Sequence, residues 1–167
     1  FNAALIEEVN SLRTNPKRYA NKLYDITKCF KGKVLRYPGT TGGIKTEEGA
    51  KAYTEAGDFL AQQDRIEGLE PSKGLCGIAE DLLKKIQERD PSEVGSIDME
   101  EIIANHGYFN GYCSRSIDYG GESPQQVITN LIVCDGDSSR GQRKNLLNTN
   151  FKRIGVANGK HSMYRFC

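Results

Sequence analysis

Apolar residues recur at helical spacing from the start of the chain, with Leu5, Ile6, Val9 and Leu12 on one face. Three-and-four spacing of this kind predicts an amphipathic helix that buries one stripe. Asn15 followed by Pro16 restarts a second short helix through Tyr19, Ala20 and Leu23, since proline at the first helical position lacks only an N–H that has no partner anyway. Thr46 then reads as the cap of a third helix, with Glu47 and Glu48 in its first turn and a thin apolar face of Ala50, Tyr53, Ala56 and Leu60. A stronger stripe follows. With Ser72 as cap, Leu75, Ile78, Ala79, Leu82, Leu83 and Ile86 predict a core helix.

Further on, Ser96 to Asn105 predicts a short helix with Ile97, Ile102 and Ile103 inward. Ser123-Pro124-Gln125-Gln126 has the form of a capping box ahead of Val127, Ile128, Leu131 and Ile132. Arg143 to Leu147 adds a short helical turn. Residues 29–45, with four glycines and one proline, predict a loop holding one short strand, and the glycine- and tyrosine-rich run GYFNGYCSRSIDYGG predicts irregular chain or short strand. RIGVA and KHSMYRF flank Asn158-Gly159, which predicts a C-terminal hairpin on a type I′ turn. Helices thus dominate and strands gather late. The implied fold is α+β, with helices packed on a small, mostly antiparallel sheet.

The bulk numbers narrow the function classes. At 167 residues the chain is the size of one domain, and a net charge of +1 with 27% charged residues of both signs gives no field to favour nucleic acid. No run approaches the roughly 18 apolar residues of a membrane span, and FNAALIEEV lacks the basic region and apolar run of an export signal, so the chain reads as already processed if it is exported. Five cysteines, Cys29, Cys76, Cys113, Cys134 and Cys167, contain no C-x-x-C pair. That excludes zinc-ribbon and thioredoxin-type motifs and leaves two readings, structural disulfides in an oxidising compartment or small buried apolar groups. An odd cysteine leaves either a monomer with a free thiol or a disulfide-linked dimer.

CDGDSS, residues 134–139, has a superficial likeness to a serine-protease nucleophile loop. A nucleophilic serine needs a base and a group that orients it, and the inventory offers Ser138 or Ser139 with His161 or His106 and with Asp135 or Asp137. Nothing in their spacing joins them.

A different likeness covers most of the chain. SRGQRKNLLNTNFKRIGVANGKHSMY resembles the C-terminal signature of the CAP superfamily, the cysteine-rich secretory, antigen 5 and pathogenesis-related 1 proteins, in the form with D-G-x-x-S-R-G upstream found in protists. LRTNPKRYANKL, TEEGAKAYTEAGDFL, SKGLCGIAEDLL and IDYGGESPQQV are similar to the family's earlier helices and its tyrosine-glycine turn. The resemblance implies an α-β-α sandwich, a secreted protein and a cleft that in the family holds two histidines and two glutamates around a divalent metal. The family pattern also runs on beyond the position of Cys167, which implies a trimmed or smaller sheet.

In this chain the two histidine positions align with Leu82 and Gln142, and the acidic position with Arg115; a shifted register offers Glu122. Leucine cannot ligate and an arginine repels a cation, so the resemblance implies a degenerate cleft, no metal and no cofactor. Its implied lining is Leu82, Arg115, Glu122, Gln142, Arg143 and His161. His161 is expected to make a structural hydrogen bond and His106 to meet the end of a helix. Arg140 and Arg143 are expected to pin their loop, with Asp135 and Asp137 as partners. Tyr108, Phe109, Tyr112 and Tyr119 read as core aromatics or as the lining of a lipid groove. The expected function is binding of an extracellular protein or a small lipid, with recognition on loops such as residues 29–45. The rivals are a serine-type protease and a sterol or fatty-acid carrier.

Overall fold

A computed structural model describes residues 1–107 and 111–167. Helix α1 (Asn2–Thr14) buries Leu5, Val9 and Leu12, and Asn15 closes it and caps α2 (Pro16–Thr27) by accepting from the Arg18 N–H. Three two-residue strands follow, β1 (Phe30–Lys31), β2 (Val34–Leu35) and β3 (Ile44–Lys45), antiparallel in the order β1-β2-β3. The segment expected to be a loop with one strand therefore holds a complete small sheet. Its second connection leaves the ladder between Arg36 and Gly43, which is why glycine-rich spacing hid the pairing.

Helix α3 (Ala50–Gln62) starts four residues later than its expected cap. Thr46 is buried instead, its hydroxyl donating to Lys33 O at 2.7 Å. The helix's thin apolar face lies deep, with Ala52, Tyr53, Ala56, Gly57 and Leu60 all buried. Small residues permit this: a Cβ at Gly57 would stand 2.7 Å from the Tyr24 ring, so only glycine lets α2 and α3 approach so closely.

Strand β4 (Glu70–Pro71) leads into α4 (Lys73–Ile86), capped by Ser72 as expected. A 3-10 turn (Pro91–Ser96) and α5 (Met99–Ala104) follow, α5 being capped by Asp98 and not by Ser96. Ser123 caps α6 (Pro124–Val133) through the Gln126 N–H, and the Gln126 side chain accepts from Glu122 N. Helix α7 (Gly141–Leu146) and β5 (Arg153–Ile154) complete the chain.

The C-terminal hairpin does not form. Neither Asn158 nor Gly159 takes a positive φ, and β5 instead pairs in parallel with β4, Glu70 facing Arg153. Gly155 continues that strand against α4, where a Cβ would collide with the Leu75 and Cys76 backbone. Residues 159–167 form a wide loop, closed by two hydrogen bonds of 3.0 Å between the Gly159 and Cys167 backbones.

The chain is α+β with small, mostly antiparallel sheets, and among the described residues no helix is long and apolar enough to cross a membrane. Its apolar residues form two clusters. One gathers α1, α2, α3 and α6 around Leu12, Tyr19, Leu60 and Ile132; the other is smaller and joins α4 and α5 through Leu82, Ile86 and Ile102.

Candidate functional site

Helix α4 carries a continuous apolar stripe, yet only Leu82 and Ile86 on it are buried. Leu75, Ile78, Ala79 and Leu83 are half-exposed and face a cavity of about 1160 Å³ lying between the two apolar clusters. Val127, Ile128 and Leu131 of α6 form the opposite wall, and Phe151, Ile154 and Val156 close one end. The expectation of a core helix is corrected here: α4 is a cavity wall. Periodicity reports which face is apolar and says nothing of what that face meets.

A second, smaller pocket of about 360 Å³ adjoins the other end of segment 115–119, with Val94, Ile117, Asp137 and Gln142 in its lining. Arg115 belongs to both spaces. Its Nη2 donates to Val94 O at 3.0 Å, and its Nη1 is buried without a partner. The Tyr119 hydroxyl, on the wall of the small pocket, is likewise buried and unpartnered. Tyr112 is 88% exposed at the cavity edge and is no core aromatic. Tyr108 and Phe109 lie outside the described residues.

The six residues expected to line one cleft are divided. Leu82 and Arg115 face the large cavity, while Arg115 and Gln142 face the small pocket. Glu122 pairs at the surface with Arg165 at 2.7 Å. Arg143 is 2% exposed, its Nε donating to Ile132 O at 2.6 Å and its two terminal nitrogens to Glu55 at 2.7 and 2.9 Å. His161 packs edge-on against Tyr119 and Tyr164, outside the lining of either pocket. An aligned motif cannot distinguish a residue that opens onto a cleft from one that supports its wall.

The loop arginines pin as expected, and Arg140 donates to the carbonyl of the expected partner Asp137 at 3.0 Å, but the carboxylates they grip are others. Arg140 grips Glu48 with both terminal nitrogens at 2.6 and 2.8 Å and also donates to Cys134 O at 2.7 Å. Arg140 and the Gly136 N–H hold the Glu48 carboxyl well below its ordinary 4.5, at about 2. Asp135 instead accepts from the Glu47 and Glu48 N–H groups at 2.6 and 2.8 Å, and Asp137 accepts from Ser139 N at 2.8 Å.

No protease triad assembles. Asp135 is spent on the approach to α3, and His161 Nδ1 accepts from Met163 N and Tyr164 N at 3.1 and 3.2 Å. A neutral imidazole whose Nδ1 accepts carries its proton on Nε2, so His161 has no lone pair for a serine. His106 does not simply meet a helix end: its Nε2 lies 2.7 Å from Asp81 on α4. Among the described residues no hydrogen bond joins Ser138 or Ser139 to either histidine.

Among the described residues no three His, Cys, Asp or Glu side chains converge on a metal position. Gln142, at the second family histidine position, is occupied: its Oε1 accepts from Ile117 N at 2.9 Å and its Nε2 donates to Ile117 O at 3.1 Å. All five cysteines are free thiols, and Cys134 and Cys113 are held above the usual thiol range by burial. The disulfides expected for some of them are not formed.

Sequence reasoning missed Arg13, a buried side chain with as many hydrogen bonds as Arg143. It is 1% exposed, and it donates to the carbonyls of Glu67, Leu146 and Asn148 at 2.7, 2.6 and 3.1 Å, tying α1 to the end of α7. In comparisons with known proteins, no family model, curated protein or solved structure matches the chain.

Proposed function

We propose that this chain is a CAP-type domain that works by binding, that its ligand is an elongated apolar small molecule, and that it acts outside the cytoplasm. The observation that supports a bound ligand is the turn of α4: among the described residues, Leu75, Ile78, Ala79 and Leu83 of its apolar stripe face a space of about 1160 Å³ instead of packed side chains. Protein interiors close to near-crystalline density, so an apolar space of this size withholds contacts that an apolar ligand would supply. Binding sites for small molecules run to roughly 1,000 Å³ and are apolar with a few polar groups, so this space stands just above that range.

Family membership and export rest on the sequence resemblance; the five free thiols add nothing to the case for export. A binding role fits the chemistry present better than turnover does, because the residues available for a triad are committed elsewhere.

A neutral solvatochromic dye such as Nile red tests the reading. The wild-type protein is expected to bind it with a blue-shifted emission. Ala79→Trp, which fills the cavity from the α4 side, is expected to weaken the dye at least about tenfold while leaving the circular dichroism spectrum unchanged. Dye binding unaffected by that substitution would place the apolar site elsewhere and sink the proposal.

A further inference from the structure

We propose that Arg115 and Tyr119 form an oxyanion site in the small pocket beside the cavity and that it receives the carboxylate of the ligand. The proposal deepens the binding reading above by naming the ligand's polar group.

The backbone that carries these two side chains has no strand partner. It is held by α7 instead: Gln142 makes both bonds to the Ile117 amide, and Asn145 Nδ2 donates to Arg115 O at 3.1 Å. The segment is thus fixed before any ligand arrives. Arg115 is further tethered through Nη2 to Val94 O, which leaves Nη1 as its buried, unpaired donor. Tyr119 Oη is the second, and both line the small pocket.

A buried donor left unpaired costs on the order of 1–3 kcal/mol, and more when it carries charge. The two buried arginines among the described residues avoid that cost. Arg13 is surrounded by carbonyls, and Arg143 is paired bidentately with Glu55. Arg115 is the exception among the described arginines in having a buried orphan nitrogen, and it stands where the two spaces meet.

A carboxylate supplies what the pair lacks. It is acceptor-only, it matches a guanidinium edge, and its second oxygen can take the phenol proton. Burial holds the Tyr119 phenol above its usual range, so it stays a donor. The acidic groups nearby are turned to donors of their own: Asp90 accepts from Ser92 N and Oγ at 2.9 and 2.6 Å. Asp137 accepts from Ser139 N at 2.8 Å and Gly141 N at 3.3 Å, and Asp118 accepts from Asn130 Nδ2 at 2.8 Å and Gly121 N at 3.1 Å. A volume of about 360 Å³ suits a head group, and Arg115 borders the larger apolar space that would take a tail.

The same carboxylate chemistry can come from a small free acid or from the head of an amphiphile. Calorimetric titration of wild type, Arg115→Gln and Tyr119→Phe with benzoate, dodecanoate and neutral dodecanol separates the sources. Dodecanoate is expected to bind wild type at least about tenfold more tightly than dodecanol, from one charge-assisted pairing. Arg115→Gln is expected to erase that preference, and Tyr119→Phe, which removes only the hydroxyl, to reduce it severalfold; dodecanol affinity should be unchanged in both. Benzoate binding that depends on Arg115, without dodecanol binding, would keep the oxyanion site for a small acid and overturn the apolar-cavity reading. Equal affinity for dodecanoate and dodecanol in all three proteins would overturn the oxyanion site and keep the cavity. Failure of all three ligands to bind folded wild type would overturn both.

Discussion

The two halves of the molecule treat apolar and cationic side chains in opposite ways. Around α1, α2, α3 and α6 the apolar residues are shut in, with Leu12, Leu23 and Leu60 fully inaccessible, and the buried Arg13 and Arg143 are saturated with acceptors. Around α4 the apolar stripe stands half open, and Arg115 keeps a buried nitrogen unpaired. The first half is what a chain does to be stable; the second carries contacts left unmade among the described residues, which the proposed ligand would complete. Substitutions that act differently on the halves test whether the contrast is real.

The largest difference is expected between two arginines. Arg13→Ala removes the donor shared by four carbonyls that tie α1 to residues 67 and 146–151, and it should destabilise the protein by about 4 kcal/mol, since each buried acceptor left without its donor costs about 1–3 kcal/mol. Arg115→Gln gives up one tether to Val94 O and relieves an orphan, and should cost under about 1 kcal/mol. Denaturant unfolding of both variants measures the gap. Equal losses would erase the contrast.

Leucines repeat the comparison with no charge involved. Leu12→Ala should cost about 3 kcal/mol, since a closed core cannot collapse around the void. Leu75→Ala, on a side chain already facing open space, should cost under about 1 kcal/mol and should loosen dye binding. Similar melting shifts for the two would mean that the α4 cavity is filled by the protein itself.

What the sequence discloses depends on distance along the chain. Caps were legible because donor and acceptor lie within a few residues: Asn15 with Arg18, Ser72 with Leu75, Ser123 with Gln126. Arg140 with Glu48 was not, because 92 residues separate them and either residue alone reads as a solvated charge. Local signals also misled where a distant partner won. Asn158-Gly159 has the chemistry of a tight turn, but the strand before it is taken by β4. Of the cavity and pocket walls, Leu82 and Arg115 are singled out by the family resemblance, whereas the orphaned Nη1 and the Tyr119 hydroxyl are facts of packing that no pattern encodes.

Gly155 joins the halves, because it brings β5 onto the start of α4. Gly155→Ala forces backbone apart from backbone, which no rotamer change can relieve, so a loss of about 2 kcal/mol is expected. Since α4 must move to admit the methyl group, the dye affinity should change as well. Loss of stability with unchanged dye binding would show that α4 is positioned by α5 alone.

The smallest effect concerns pH and belongs to the closed half. Glu48 has its carboxyl lowered from 4.5 to about 2 by Arg140 and the Gly136 N–H. A carboxylate with a depressed folded-state value binds fewer protons when folded than when unfolded. Its contribution is therefore fully present above pH 4.5 and is lost as the pH falls from there toward about 2. The side chain is 30% exposed, so solvent screening limits the contribution to about 1 kcal/mol. Glu48→Gln should lower stability by that amount at pH 7 and flatten the acid limb of the stability profile. Arg115→Gln should leave the same limb unchanged, because in the described structure no acidic side chain is paired with that arginine. A flattened limb in Arg115→Gln would mean that Arg115 holds a carboxylate of the protein itself, and the opposition between the saturated and the unsaturated half would fall at its most specific point.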